Sequence, residues 1–245
     1  MRAGLGKGIF WGIGVASAVA ALLPAALLCA VGGRKTAMRW WCGGLLKLFG
    51  VRATVRGHLP LPGSLVVLNH VSYLDILVVG AHTPGNFIAK AEIGRWPIFN
   101  VAAALGGTIF VPRASARRSL DRMALLAKRL AEGERVILFA EGGIPSEKGG
   151  VAPFRTMFFE AALRSSRPVV PGAIRYLRPS DPAAWRWGDG HLAAHLFGRV
   201  FACESIEVEL RFGTPIETRA GVDRKALAED ARREVSRLYQ EGDHP

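Results

Sequence analysis

Apolar and polar positions alternate in blocks along the chain, and the first block is the longest. Residues 8–33, GIFWGIGVASAVAALLPAALLCAVGG, carry no charge. As a helix they would reach roughly 39 Å, enough for a hydrocarbon core of about 30 Å. Pro24 lies near the middle and would kink such a helix. The stretch 37–51 then mixes Trp40, Trp41, Leu45, Leu46, Leu48 and Phe49 with Arg39 and Lys47. Indole rings beside cations favour a membrane–water interface. The pattern predicts a membrane-anchoring segment over 1–52, built as one crossing helix or as a kinked hairpin in one leaflet, and a body over 53–245. A cleaved signal peptide would need an apolar region of only about 7–15 residues ending in a small-x-small site. This segment is longer and runs into Arg34, Lys35 and Arg39.

Beyond Gly57 the pattern becomes that of an α/β domain. LVVL (65–68) reads as a buried strand, followed by helical spacing over 73–82. FIA (87–89) is a short strand, 96–105 an apolar helix and TIFV (108–111) a strand. Residues 115–131 form an amphipathic helix with Leu120, Ala124, Ala127 and Leu130 on one face. RVILFA (135–140) is a buried strand, 154–164 a helix and 168–176 a strand broken by Pro171. IEVELRFG (206–213) alternates like an edge strand, and 223–239 is a solvent-facing helix capped by Asp223. Strands separated by helices predict a mixed, largely parallel sheet flanked by helices.

Composition narrows the function classes. At 245 residues the chain buries a core without disulfide or metal support. Cys29, Cys42 and Cys203 are far apart and odd in number, which excludes a disulfide scaffold and a zinc ribbon. Cys29 and Cys42 fall in the segments read as membrane-facing, and Cys203 reads as a structural thiol. Net charge is +12, and residues 1–74 contain eight basic residues and no acidic one. That asymmetry calls for an anionic partner. Because the basic residues are interleaved with Trp and Leu, the partner is a membrane surface and not nucleic acid. The basic excess downstream of the apolar block puts the body on the cytoplasmic side.

Polar residues just past strand ends are where α/β sheets build sites. Four such places occur. In the first, Asn69 and His70 leave a strand and Asp75 follows near a helix start. A carboxylate at that spacing can reach the imidazole, fix its tautomer and leave the other nitrogen as a base. The same residues would equally serve as turn and helix caps. Next, Gly107 enters a strand and Arg113 leaves it, either to bind an anion or to lie in solvent. In the third place, Glu141, Gly142 and Gly143 follow a strand, either for close backbone approach to a ligand or as a tight turn. The fourth, around Pro171, is an apolar wall. His58, His82 and His244 occupy ordinary turn, helix-end and terminal positions. His191 and His195 are an i,i+4 pair without a third ligand, so no metal site is expected. Arg113, Arg117, Arg118 and Arg122 form either a solvated face or a landing site for donor or head-group phosphates.

In this order and spacing, NHxxxxD, GxxFVxR, FxEG and VVPxAI resemble the glycerolipid acyltransferase family, and most of all its lysophosphatidic acid acyltransferases. The resemblance spans about residues 35–215, including WGDG (187–190) and FGTPI (212–216). It implies that His70 is the general base and Asp75 its orienting partner. It further implies that Arg113 holds the acceptor phosphate, with Gly107 in the same motif. Glu141 and Gly142 would position the acceptor, and Pro171 would touch the acyl donor or wall the site. The co-substrate would be acyl-CoA or acyl-carrier protein, with no cofactor, and the acceptor a lysophospholipid in a bacterial inner membrane. One departure stands out: FAEGGIPS replaces the family's FPEGTxS or FPEGTR. Gly143 and Ile144 remove possible hydrogen bonds to the head group, with Ser146 placed to compensate. The leading acceptor is lysophosphatidic acid, giving phosphatidic acid. Lyso-ornithine lipid is the alternative acceptor, and a non-catalytic basic membrane-surface scaffold is the alternative of another class. Intact His70, Asp75, Arg113 and Glu141 argue against the scaffold.

Overall fold

The computed structural model describes residues 33–91, 103, 106–111, 116–144, 150–186, 192–219 and 221–241, without side chains at 116–120, 192, 193 and 197. Strands β1 (Val51–Arg56), β2 (Leu65–Leu68), β3 (Asn86–Lys90), β4 (Ile109–Val111), β5 (Val136–Phe139), β6 (Val169–Arg178) and β7 (Ile206–Phe212) form one sheet. Their order is β1-β7-β6-β2-β5-β3-β4. Every pairing is parallel except β6 with β7. Helices α1 (Arg34–Leu48) and α2 (Leu74–His82) cover one face. Helices α3 (Ala116–Ala131), α4 (Phe159–Ser165) and α6 (Arg224–Gln240) cover the other, and α5 (Leu192–Gly198) packs Leu196 against the α1–α2 side. The all-buried runs LVVL and VILF are β2 and β5, since central parallel strands are packed on both faces. The expected mixed, largely parallel sheet flanked by helices is what forms.

Several expectations change. The anchoring helix expected over 8–33 and most of the helix over 96–105 lie outside the described residues. Among the described residues no helix is long and apolar enough to cross a membrane. The division expected between 52 and 53 falls within β1, and α1 ahead of it packs Cys42, Leu45 and Leu46 inward. Cys42, expected to face membrane, is therefore in the protein core, where burial pushes its thiol up to about 12. IEVELRF is not an edge: β1 pairs along its outer side, and the one charge on its inner positions, Glu209, meets Arg56 and Arg211.

Pro171 does not break β6. Its carbonyl accepts the Gly213 N–H at 2.9 Å. The missing N–H would point the same way, opposite Gly213, where β7 has ended, so no ladder bond is lost. The helix expected from 154 begins later, with a 3-10 turn at Thr156–Phe158. Arg155 is held extended because its N–H donates to Ala140 O at 2.8 Å. In α3 the buried stripe is Met123, Leu126 and Leu130, whereas Ala124 is exposed, because the longer side chains take the inward positions. The terminal helix α6 has its Asp223 cap, but Leu227, Ala228, Ala231, Val235 and Leu238 bury one face.

The contact between α1 and α2 runs through Gly80. A Cβ there would stand 2.7 Å from Cys42 Sγ. Overpacking of this kind costs about 1–3 kcal/mol. Gly80→Ala is expected to lower the melting temperature in detergent-solubilised protein. Adding Cys42→Gly should recover part of the loss, and two independent, additive losses would refute the close contact.

Candidate active site

β2 and β5 end at the same level of the sheet, and β6, on the other side of β2, continues past it to Arg178, so the turns after β2 and β5 meet beside the outer half of β6. Past Leu68, the Asn69 side chain prolongs the β2–β6 ladder. Its Nδ2 donates to Ile174 O at 2.9 Å, and its Oδ1 accepts the Ile174 N–H at 2.8 Å. Both groups are buried, and this fixes where the chain leaves the sheet. His70 follows, its ring stacked on Phe139 of β5 with centroids 4.2 Å apart.

The loop then turns into α2, whose first turn carries Asp75. Asp75 has no solvent exposure, so its carboxylate must be satisfied internally. Oδ2 accepts from His70 Nδ1 at 2.8 Å, from Val71 N–H at 2.8 Å and from Ser72 N–H at 2.9 Å. Oδ1 accepts the Tyr176 hydroxyl at 2.9 Å. An oxygen already receiving two backbone N–H groups acts as an acceptor, so the His70 proton sits on Nδ1. Nε2 is left as the basic nitrogen.

Glu141 leaves β5 beside this loop. Its Oε2 accepts the His70 N–H at 2.6 Å and its Oε1 the Ala152 N–H at 2.8 Å. Burial pushes its carboxyl up, while the Ala152 and His70 N–H groups and the nearby imidazole pull it back. Glu141 thus ties the His70 turn to the segment at 150–155. Gly142 has φ +75°, and a Cβ there would fall 1.9 Å from Arg155 Nε. Its close approach is to the Arg155 side chain. A Cβ at Gly143 would stand 3.3 Å from Lys90 Nζ. Two cations, Lys90 at the end of β3 and exposed Arg155, therefore flank the glycine pair.

The remaining sequence candidates separate. Gly107 is not at this edge. It precedes β4 at the opposite end of the sheet, with φ +67°, where a Cβ would meet Asn86 Oδ1 at 2.6 Å and Arg34 Cζ at 2.9 Å. Parallel strands put their entrances and exits on opposite edges, so a glycine entering β4 cannot share a site with residues leaving β2. Pro171 pairs with Val67 inside the sheet, beneath the site. Arg113, Ser146, residues 187–190 and His191 lie outside the described residues. His195 meets the Tyr73 hydroxyl through Nδ1 at 3.1 Å and Ala183 O through Nε2 at 3.1 Å. Among the described residues no group of His, Cys, Asp and Glu could hold a metal ion.

Sequence reasoning missed Tyr176, Lys90 and Arg155. For Tyr176 a signal existed: it lies two residues past Ile174, so the strand period puts it on the same face, at the strand's exit. Lys90 and Arg155 carried none, since each is brought in by strand order or by a backbone bond between distant segments.

The acyltransferase family model matches residues 51–175, which include the His70, Glu141 and Pro171 motifs. A lyso-ornithine lipid O-acyltransferase of Brucella abortus is 38% identical over 79% of this chain and 78% of its own length. A 1-acyl-sn-glycerol-3-phosphate acyltransferase of Neisseria gonorrhoeae is 30% identical over 67% of this chain and 65% of its own. The crystal structure of the lysophosphatidic acid acyltransferase of Thermotoga maritima superposes with a TM-score of 0.71, covering 100% of this chain and 97% of that one at 21% identity, and shares the fold. With a family match over half its length and a relative alike over most of it, the chain belongs to the acyltransferase family and is an acyl-transferring enzyme.

Proposed function

We propose that the enzyme acylates the free hydroxyl of a lyso-lipid, with His70 as general base and an acyl thioester, acyl-CoA or acyl-carrier protein, as donor. The observation that carries this reading is the 2.8 Å bond between His70 Nδ1 and the buried Asp75, which leaves Nε2 as the basic nitrogen of a ring that keeps some exposure to solvent. The hydroxyl oxygen attacks the thioester carbonyl carbon while Nε2 takes its proton. The C–S bond then breaks, and the proton passes from the imidazolium to the departing thiolate. Asp75 orients the ring and stabilises the imidazolium. Direct attack needs no acyl-enzyme, cofactor or metal.

For the acceptor we favour lyso-ornithine lipid. The 38% identical relative bears that name, and the glycine pair admits Lys90 and Arg155 close to the backbone, two cations that could meet a carboxylate-bearing head group. Lysophosphatidic acid, the acceptor implied by motif resemblance, is the second reading, favoured by the Neisseria relative and by the same two cations. Such acceptors reside in a bilayer, which suits a body held at a membrane by residues 8–33. Arg113, Gly107 and Pro171 contribute outside the contacts made by the dyad: Arg113 as an anion clamp after β4, the other two through the sheet that carries the turns.

Three outcomes test this. His70→Ala is expected to abolish thiol release from palmitoyl-CoA, a loss of at least about 10³-fold, with an unchanged circular dichroism spectrum; retained turnover would refute the base. Release by the wild type should be faster with lyso-ornithine lipid than with lysophosphatidic acid, and the reverse preference would transfer the acceptor to the second reading. Glu141→Gln presents an NH2 group to one of two N–H donors, so kcat/KM should fall about tenfold to a hundredfold. An unaffected rate would show that the His70 turn does not depend on that tie.

A further inference from the structure

We propose that Tyr176 is a positioning residue of the acyl transfer, acting through Asp75 Oδ1 to hold the carboxylate in the orientation that serves His70. The proposal rests on the reading of His70 as general base. Its foundation is a closed circuit of contacts around the His70 loop. The Tyr176 hydroxyl donates to Asp75 Oδ1 at 2.9 Å. Asp75 Oδ2 accepts the Ser72 N–H at 2.9 Å. The Ser72 hydroxyl donates to Trp185 O at 2.5 Å. The Trp185 ring closes the circuit by stacking on Tyr176, with centroids 4.4 Å apart and planes 14° from parallel.

Each link has a directional consequence. Oδ2 is occupied by three donors, so a rotation of the carboxylate would break all of them at once. Oδ1 has one donor among the described residues, and that donor is the Tyr176 hydroxyl. Without it, a fully buried oxygen would lack a partner. The carboxylate would then either rotate or gain a proton, and both weaken its hold on Nδ1–H. The phenol suits this role because burial beside Asp75 holds its hydroxyl well above the ordinary range, so it stays a donor throughout the working pH. Trp185 fixes the ring, so the hydroxyl is delivered by a rigid side chain on a sheet strand. The other titratable groups facing the pair are Glu141 from the turn after β5 and Tyr73 at the start of α2. His195 of α5 reaches it only through Tyr73. None of these is altered when Tyr176 loses its hydroxyl.

The test is Tyr176→Phe, which keeps the ring and its stacking. It is assayed by thiol release with purified full-length enzyme, palmitoyl-CoA and lyso-ornithine lipid or lysophosphatidic acid, whichever the wild type prefers. The expected result is a kcat lowered about tenfold with acceptor KM unchanged. In an Asp75→Asn background the same change should cost nothing further, as expected for a residue that acts through Asp75. An unchanged kcat, a loss expressed in acceptor KM, or a full additional loss in the Asp75→Asn background overturns the proposal even if the melting temperature falls. His70→Ala assayed alongside separates the two readings. Activity there sinks the general base, whereas an inactive His70→Ala with an unchanged kcat in Tyr176→Phe sinks only Tyr176.

Discussion

The structure turns on one buried carboxylate. Asp75 has no contact with solvent, and an unpartnered charge there would cost several kcal/mol. Its oxygens instead collect two backbone N–H groups, an imidazole N–H and a phenol. Those donors come from the loop after β2 and from β6, so satisfying the charge also sets the shape of the loop. The His70 tautomer is a by-product of the same requirement, with the proton on Nδ1 and Nε2 without one.

The sheet supplies everything that converges on this point. Central parallel strands release their chains at a common edge, so turns remote in sequence become neighbours. Side chains then bind the turns together in place of ladder bonds. Asn69 mimics a strand residue against Ile174, and Glu141 receives N–H groups from His70 and Ala152. Both carboxylates accept from the His70 turn, Glu141 from the backbone N–H of His70 and Asp75 from its ring and from the N–H groups of Val71 and Ser72.

Under the proposed function, head-group recognition is organised differently from the chemistry. His70 and Asp75 are locked by buried hydrogen bonds, whereas Lys90 and Arg155 approach the glycine pair from a strand end and an extended segment. Long cationic side chains of this kind adapt to phosphate or carboxylate alike. An altered third motif can therefore coexist with an unaltered His70 and Asp75.

The sequence by itself determined the α/β class, the buried central strands and the positions of His70, Asp75 and Glu141. These rest on short-range patterns: apolar runs, strand exits and a five-residue spacing that a single loop can close. Family membership was legible because four motifs keep their order. The tertiary structure alone decided which candidates meet. It carried Gly107 to the far edge, because a residue entering a parallel strand lies a strand's length from one leaving it. It laid Pro171 unbroken in β6 because β7 stops opposite the missing N–H. It turned Cys42 inward against Gly80 and brought Tyr176 to Asp75 across 101 positions. Periodicity reports which face of its own element a residue takes. Which element packs against that face depends on strand order, and strand order is set by the burial of the whole sheet.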